Sequence, residues 1–360
     1  MVRSHREVLD ECTGLSRLGW SAAGWLYSAA SSGHTVRAAY ERLRSGSDYA
    51  KPSISRWLLG RQLVKKFGSS NTPLVVSHPV LIGILTGKEN LIYQHGELVA
   101  PDESFVPGAS LVFVPTTKVA DRFLGAGYSS GQVSVTGLCI EAELVGSAKD
   151  NFSRRQNRLN SPGELCGGFF SSGAEPKEHI GYLAASAFSV VRNGGRAVIV
   201  ARQSGKLAAL VRGLFHKSGA CCVEVSTETE IPRELPPATL LKYRTRRELD
   251  TLTSLVFSHL DYFVSPAHER VNWAAGLGLP LVALLPTTGP YAPLNLELVC
   301  RAGVALSSVD LGPANTFHWN VSRLHSDGKL AAMSLAGWNR HPIAGFDTIA
   351  TELISRFKST

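Results

Sequence analysis

The chain reads as an α/β protein of two domains, each built on a parallel sheet. Three observations predict this. From Tyr262 to Ser307 an apolar run, a small-residue helix, a second apolar run and another helix follow one another, and a strand lying parallel to its neighbour needs such a crossover. The same alternation recurs between Ser110 and Leu138, where SLVFV precedes PTTKVADRFLGAGY and then VSVTG. A length of 360 residues is enough for two cores of ordinary size.

Composition narrows the class. Hydrophobic residues make up 44% and charged residues 18%, as in ordinary globular proteins. No apolar run approaches the ~20 residues that cross a bilayer, and the charged start MVRSHREVLDEC lacks the apolar centre of an export signal. A cytoplasmic protein is the expectation. The 6 cysteines show no C-x-x-C spacing and read as reduced thiols.

The net charge of +8 is uneven. Arg37, Arg42, Arg44, Lys51, Arg56, Arg61, Lys65 and Lys66 face only Glu41 and Asp48 within the stretch Arg37 to Lys66. That excess suits peripheral contact with an anionic membrane at its inner face, or a phosphorylated acceptor; a solvated basic face explains it equally well. Nucleic acid is not expected, because no aromatic-interleaved basic motif accompanies the charge.

In chain order, the first strand candidate is Gly24 to Ala30, running into Ser31, Ser32, Gly33 and His34 ahead of a helix with Val36, Ala39, Tyr40 and Leu43 at helical spacing. A small-residue turn at a helix start lets backbone amides approach an anion. It also disfavours the imidazolium, leaving His34 neutral and able to accept a proton. Ile54 to Phe67 reads as a basic helix without a clean apolar face, suited to a core, an interdomain contact or a membrane surface.

Strands are expected at Pro73 to Ser77, Asn90 to Gln94 and Ser110 to Val114. The second ends in His95, Gly96 and Glu97, where a carboxylate can reach a cleft. Thr116 then caps a helix with Val119, Phe123 and Leu124 inward. The polar run Val145 to Glu164, with Arg154, Arg155 and Arg158, marks a boundary. The domains are expected at 1–150 and 161–340, with a last helix, 341–360, packing back on the first.

In the second half, Ser171, Ser172 and Gly173 form an amide-rich turn before a helix with Ile180, Leu183, Ala184, Ala187 and Val191, either a phosphate cradle or a plain turn. The strand Ala197 to Ala201 leads through Arg202 and Gln203 into QSGK, which lacks the glycine of a Walker loop. That helix carries Leu207, Leu210, Val211 and Leu214. Leu240 to Tyr243 precedes Arg244 and a helix with Leu249, Leu252 and Val256. After Tyr262 to Val264, the loop Ser265 to His268 leads to a helix closed by Gly278. Leu281 to Leu285 then precedes the loop Thr287 to Leu294 and a helix opening at Asn295. Ligands of such sheets gather beyond the carboxyl ends of the strands.

Two passages carry a resemblance. Gly278, Leu279, Pro280, then Pro286, then Asn295 followed by ELVCRAG resemble the donor pocket of the peptidoglycan N-acetylglucosaminyltransferase and the diacylglycerol glycosyltransferases. VPTTKVADRFLGAGYSSGQVSVTGLCIE is similar to their V-x-V-T-G-x-P passage, and SSGHTVRAAYERL to their glycine-rich loop ending in Gly-His. Two of those glycines are serines here, and Trp273 stands where the families carry a ribose-binding glutamate, with Glu269 four residues earlier as a substitute.

The resemblance implies a GT-B fold, two Rossmann-like domains facing across a cleft, the first for the acceptor and the second for the donor. It implies an inverting, metal-independent glycosyltransferase with a UDP-sugar as donor substrate and no resident cofactor, acting on a hydroxyl acceptor such as a membrane lipid. His34 or Glu97 would be the base. Ser171, Ser172 and Gly173 would hold the diphosphate, and Arg202, Gln203, Arg244, Ser265, His268, Glu269, Thr287, Thr288 and Asn295 would line the rest of the donor site. A degenerate chain acting as a binding scaffold, with Trp273 filling the pocket, and a UDP-sugar epimerase stay open as other readings.

Overall fold

The computed structural model describes residues 54–357 apart from 174 and 233, together with 17, 18 and 21. Two compact units divide the chain: the first ends at Cys139 and resumes at Ala344, and the second runs from Ile140 to Ile343. The first strand candidate and His34 lie outside the described residues.

In the first unit, helix α1 (Ile54–Phe67) is followed by β1 (Leu74–Val76), α2 (Pro79–Ile84), β2 (Leu91–Gln94), β3 (Leu111–Val114), α3 (Thr117–Gly125) and β4 (Val133–Val135). The strands form one parallel sheet in the order β1-β2-β3-β4. Val112, Val114, Tyr93, Val119 and Phe123 fill its core. Thr116 caps α3 by accepting the amide of Val119. Leu124, expected inward, is 40% exposed: Val119 and Phe123 already cover the face of α3 that meets the sheet.

The second unit begins with α4 (Ala142–Gly146) and α5 (Ala148–Leu159). The divide at 139–140 thus precedes the polar run in which the sequence places it. That run is an amphipathic helix rather than a linker, because Asn151, Arg155 and Leu159 are buried. Arg155 is wholly enclosed and donates to the carbonyls of Leu260 (3.0 Å), Leu277 (2.9 Å) and Gly278 (3.2 Å).

After α5 come β5 (Cys166–Phe170), α6 (Lys177–Arg192), β6 (Arg196–Arg202), α7 (Lys206–Ser218), β7 (Val223–Val225), β8 (Ala238–Tyr243) and α8 (Arg246–Phe257). Next are β9 (Tyr262–Ser265), α9 (Val271–Leu277), β10 (Leu281–Ala283), α10 (Tyr291–Arg301), β11 (Ala305–Ser307), α11 (Phe317–Ser326) and α12 (Lys329–Gly337). All seven strands are parallel, in the order β11-β10-β9-β5-β6-β8-β7. One core joins Phe169, Ile199 and Val264 to Leu183, Val211 and Phe317. On the same strands, alternate residues Phe170 and Phe263 meet Trp273, as the two-residue period of a strand requires. Leu210 of α7 is 42% exposed, since Leu207, Val211 and Phe215 supply the inward face.

The last helix, α13 (Gly345–Phe357), belongs to the first unit. Its Ile349 packs with Ile92, Leu111 and Phe113, and Leu353 and Phe357 lie against that cluster. Ser134 Oγ donates to Glu352 at 2.7 Å. No helix among the described residues is long and apolar enough to cross a membrane.

Candidate functional site

In the seven-stranded sheet, β5 stands between β9 and β6. From β5 the chain steps to β6 on one side and reaches β9 on the other. Loops leaving adjacent strands toward opposite sides open a crevice at their carboxyl ends. The residues after β5 and β9 flank it, and those after β6, β8 and β10 extend the same edge.

The centre of that edge is the turn after β5. Ser171 is 4% exposed, and its hydroxyl is buried without a hydrogen-bond partner. Arg270, from the loop between β9 and α9, donates to the Ser171 carbonyl at 3.4 Å. Its guanidinium stands 5.1 Å over the Phe170 ring and 5.6 Å over Trp273. From the end of β6, Arg202 approaches the other side: a Cβ on Gly173 would lie 3.3 Å from its Nη2. Among the described residues neither arginine pairs with a carboxylate, whereas Arg246 nearby meets Asp250 at 2.7 Å and Glu141 at 3.1 Å. Two cations beside a small turn with an unused hydroxyl are groups chemically suited to an anion.

Arg202 was among the residues expected from sequence and Arg270 was not. The signal available for Arg270 was a basic residue closing the loop ahead of α9, which nothing local separates from an ordinary surface arginine.

The other expected residues lie along the edge. Ser265 ends β9, fully buried, its hydroxyl also without a partner. His268 is half-buried and its amide donates to Pro266. Glu269 is 54% exposed and 3.7 Å from Arg246. Thr287 is half-buried and Thr288 buried in the loop after β10. Asn295 does not open its helix, which begins at Tyr291. It is buried a turn inside and donates to the Ala267 carbonyl at 3.1 Å, tying α10 to the loop after β9. Gln203 donates its amide to Tyr243 at 2.9 Å, which joins the ends of β6 and β8. Arg244 pairs with Glu248 at 3.3 Å, and its amide donates to the same carboxylate.

Glu97 lies in the first unit, half-buried beyond the carboxyl end of β2. Its neighbour His95 is a structural residue. It is 2% exposed, bonded to the Tyr93 hydroxyl at 3.0 Å and the Val99 carbonyl at 2.9 Å, and burial holds its pKa down to about 4.

No protein-family model matches the chain, and no curated protein matches it in sequence. Solved structures do match. The S. aureus MnaA–UDP structure is 12% identical over 87% of this chain and 80% of its own, with a TM-score of 0.51. The UDP-GlcNAc 2-epimerase of Neisseria meningitidis bound to UDP-GlcNAc is 12% identical over 86% of this chain and 84% of its own, with a TM-score of 0.50. A calicheamicin glycosyltransferase is 12% identical over 84% of this chain and 80% of its own, with a TM-score of 0.45. The fold is therefore the α/β type of two parallel-sheet units found in UDP-sugar enzymes of GT-B architecture.

Proposed function

We propose that the second unit binds a UDP-sugar and that the chain transfers the sugar to a hydroxyl acceptor. The observation that carries this is the turn Ser171 to Gly173, with its buried unpartnered hydroxyl, between Arg202 and Arg270 at the switch point of the sheet. The compared structures hold UDP and UDP-GlcNAc, which agrees with a diphosphate there.

In this reading the acceptor oxygen attacks the anomeric carbon as the bond from that carbon to the diphosphate breaks. The electron pair leaves on the phosphate oxygen, where the two guanidinium groups and the turn amides offset its charge. The acceptor proton passes to His34 or Glu97. Ser265, His268, Glu269, Thr287, Thr288 and Asn295 line the nucleoside and sugar, and Gln203 and Arg244 stand on the outer side of the edge. The acceptor is lipid-linked in this proposal, met at an anionic membrane face by the basic region that includes α1. Trp57 on that helix is 60% exposed, with Arg61 5.5 Å over its ring.

Epimerisation of a UDP-sugar is the second reading, favoured by the Neisseria enzyme's likeness in fold; the same diphosphate grip would serve it. Titration calorimetry with UDP tests the common part. Arg202→Ala and Arg270→Ala should each weaken UDP about tenfold or more, the equivalent of ~1.5 kcal/mol for a hydrogen bond to a charged group. An unmodified chain that does not bind UDP overturns both readings. Product analysis then separates them: free UDP with the sugar on an acceptor means transfer, and a changed sugar still on UDP means epimerisation.

A further inference from the structure

We propose that Glu175 is a specificity-determining residue of the donor site, its free carboxylate oxygen accepting a hydrogen bond from a hydroxyl of the bound sugar. This rests on the nucleotide-sugar reading above. Glu175 holds a left-handed backbone, φ +46°, which non-glycine residues adopt rarely and keep only where the surroundings impose it. Its side chain is 6% exposed.

One oxygen, Oε2, accepts the amide of Lys206 at 2.5 Å. Lys206 is the first residue of the thirteen-residue helix α7, so the carboxylate caps an amide that has no partner within the helix. The other oxygen, Oε1, is buried with no hydrogen-bond partner. The carboxylate packs against Gly205, where a Cβ would collide with Oε1.

Two consequences follow from charge and reach. The amino end of α7 already holds an anion, so ligand phosphates are repelled from it and left to the turn between Arg202 and Arg270. Glu175 follows that turn by two residues, a span of at most about 7 Å, close to where a sugar hangs from the second phosphate. A carboxylate oxygen can only accept, and a hydroxyl of the transferred sugar, beyond the second phosphate, is the donor that a nucleotide sugar brings in addition to the ribose hydroxyls it shares with free UDP. An ionised acceptor makes this a strong bond.

The test uses the full chain and calorimetric affinities for UDP, UDP-glucose, UDP-galactose and UDP-N-acetylglucosamine. Glu175→Gln should leave UDP affinity within about twofold and weaken the tightest-binding UDP-sugar about tenfold. Equal loss on UDP and UDP-sugar, or no loss on either, overturns the proposal and leaves Glu175 a helix cap. Failure of the unmodified chain to bind UDP is a different result, which removes the donor site itself. Should Glu175→Gln not fold, the unmodified chain still decides. One of the monodeoxy forms of its preferred UDP-sugar must bind about tenfold more weakly than the parent, and equal affinity across all of them overturns the inference.

Discussion

The indole nitrogen of Trp273 donates to the Glu141 carboxylate at 3.1 Å. The ring itself packs edge-on against Phe170 and Phe257, with centroids 5.3 and 5.4 Å away, and tilted against Phe263 at 5.6 Å. Trp273 is therefore a core residue, 4% exposed, whose polar edge is satisfied from α4's flank. Glu269, in the loop ahead of α9, stays 54% exposed.

A carboxylate should not be tolerated in place of Trp273. Trp273→Glu removes the ring from an aromatic cluster and sets a second carboxylate beside Glu141, at a cost of about 3–5 kcal/mol. Urea unfolding followed by circular dichroism reads the loss, and an unchanged midpoint would mean that the position is open to solvent.

Arg155 ties α5 to the carboxyl end of α9 through the Leu277 and Gly278 carbonyls. Arg155→Ala leaves those carbonyls and that of Leu260 buried without their donor, a loss of at least about 3 kcal/mol. Arg155→Lys should recover little, since one ammonium cannot span the fork that the guanidinium fills. Full recovery by lysine in a thermal melt would show that charge alone matters there.

Glycines separate into two kinds. A Cβ on Gly337 would collide with the carbonyl oxygen of Ala274, so Gly337→Ala must push α12 off α9 and should cost about 1–3 kcal/mol. Gly181, within α6, has open space around its Cβ position, and Gly181→Ala should stabilise by about 0.5–1 kcal/mol. Melting both variants side by side checks the contrast; equal shifts would refute the close approach.

The first unit should lose stability in acid through His95. Burial lowers its folded pKa to about 4 from 6.5, so the unfolded chain takes up the proton first as pH falls. The stabilisation is complete above about pH 6.5 and declines toward pH 4, by about 3 kcal/mol in all. Below that the folded imidazole is protonated too and the loss stops growing. His95→Gln should flatten this part of the profile between pH 7 and pH 4.5 in urea titrations, and parallel profiles for the two proteins would contradict it.

Many strands and helices were legible along the chain because their signals are local. Leu74–Val76, Leu91–Gln94 and Leu111–Val114 sit inside the apolar runs that suggest them, and Gly278, with φ +62°, closes α9 where a left-handed residue is needed. Asn295 was expected to open its helix, but the helix begins at Tyr291 and takes Pro293 into its first turn, where proline is tolerated.

Burial and charge compensation follow another rule. Arg155 lies in a run as polar as a linker, and it is interior because Leu277, 122 residues away, offers it a carbonyl. Arg270 and Arg246 look alike in sequence, yet one meets Asp250 and Glu141 while the other is left to the Ser171 turn. Backbone preference and hydrophobic period depend on neighbours a few positions along. Which carboxylates an arginine meets depends on packing, so the company of Arg202, Arg246 and Arg270 is decided only once the sheet has assembled.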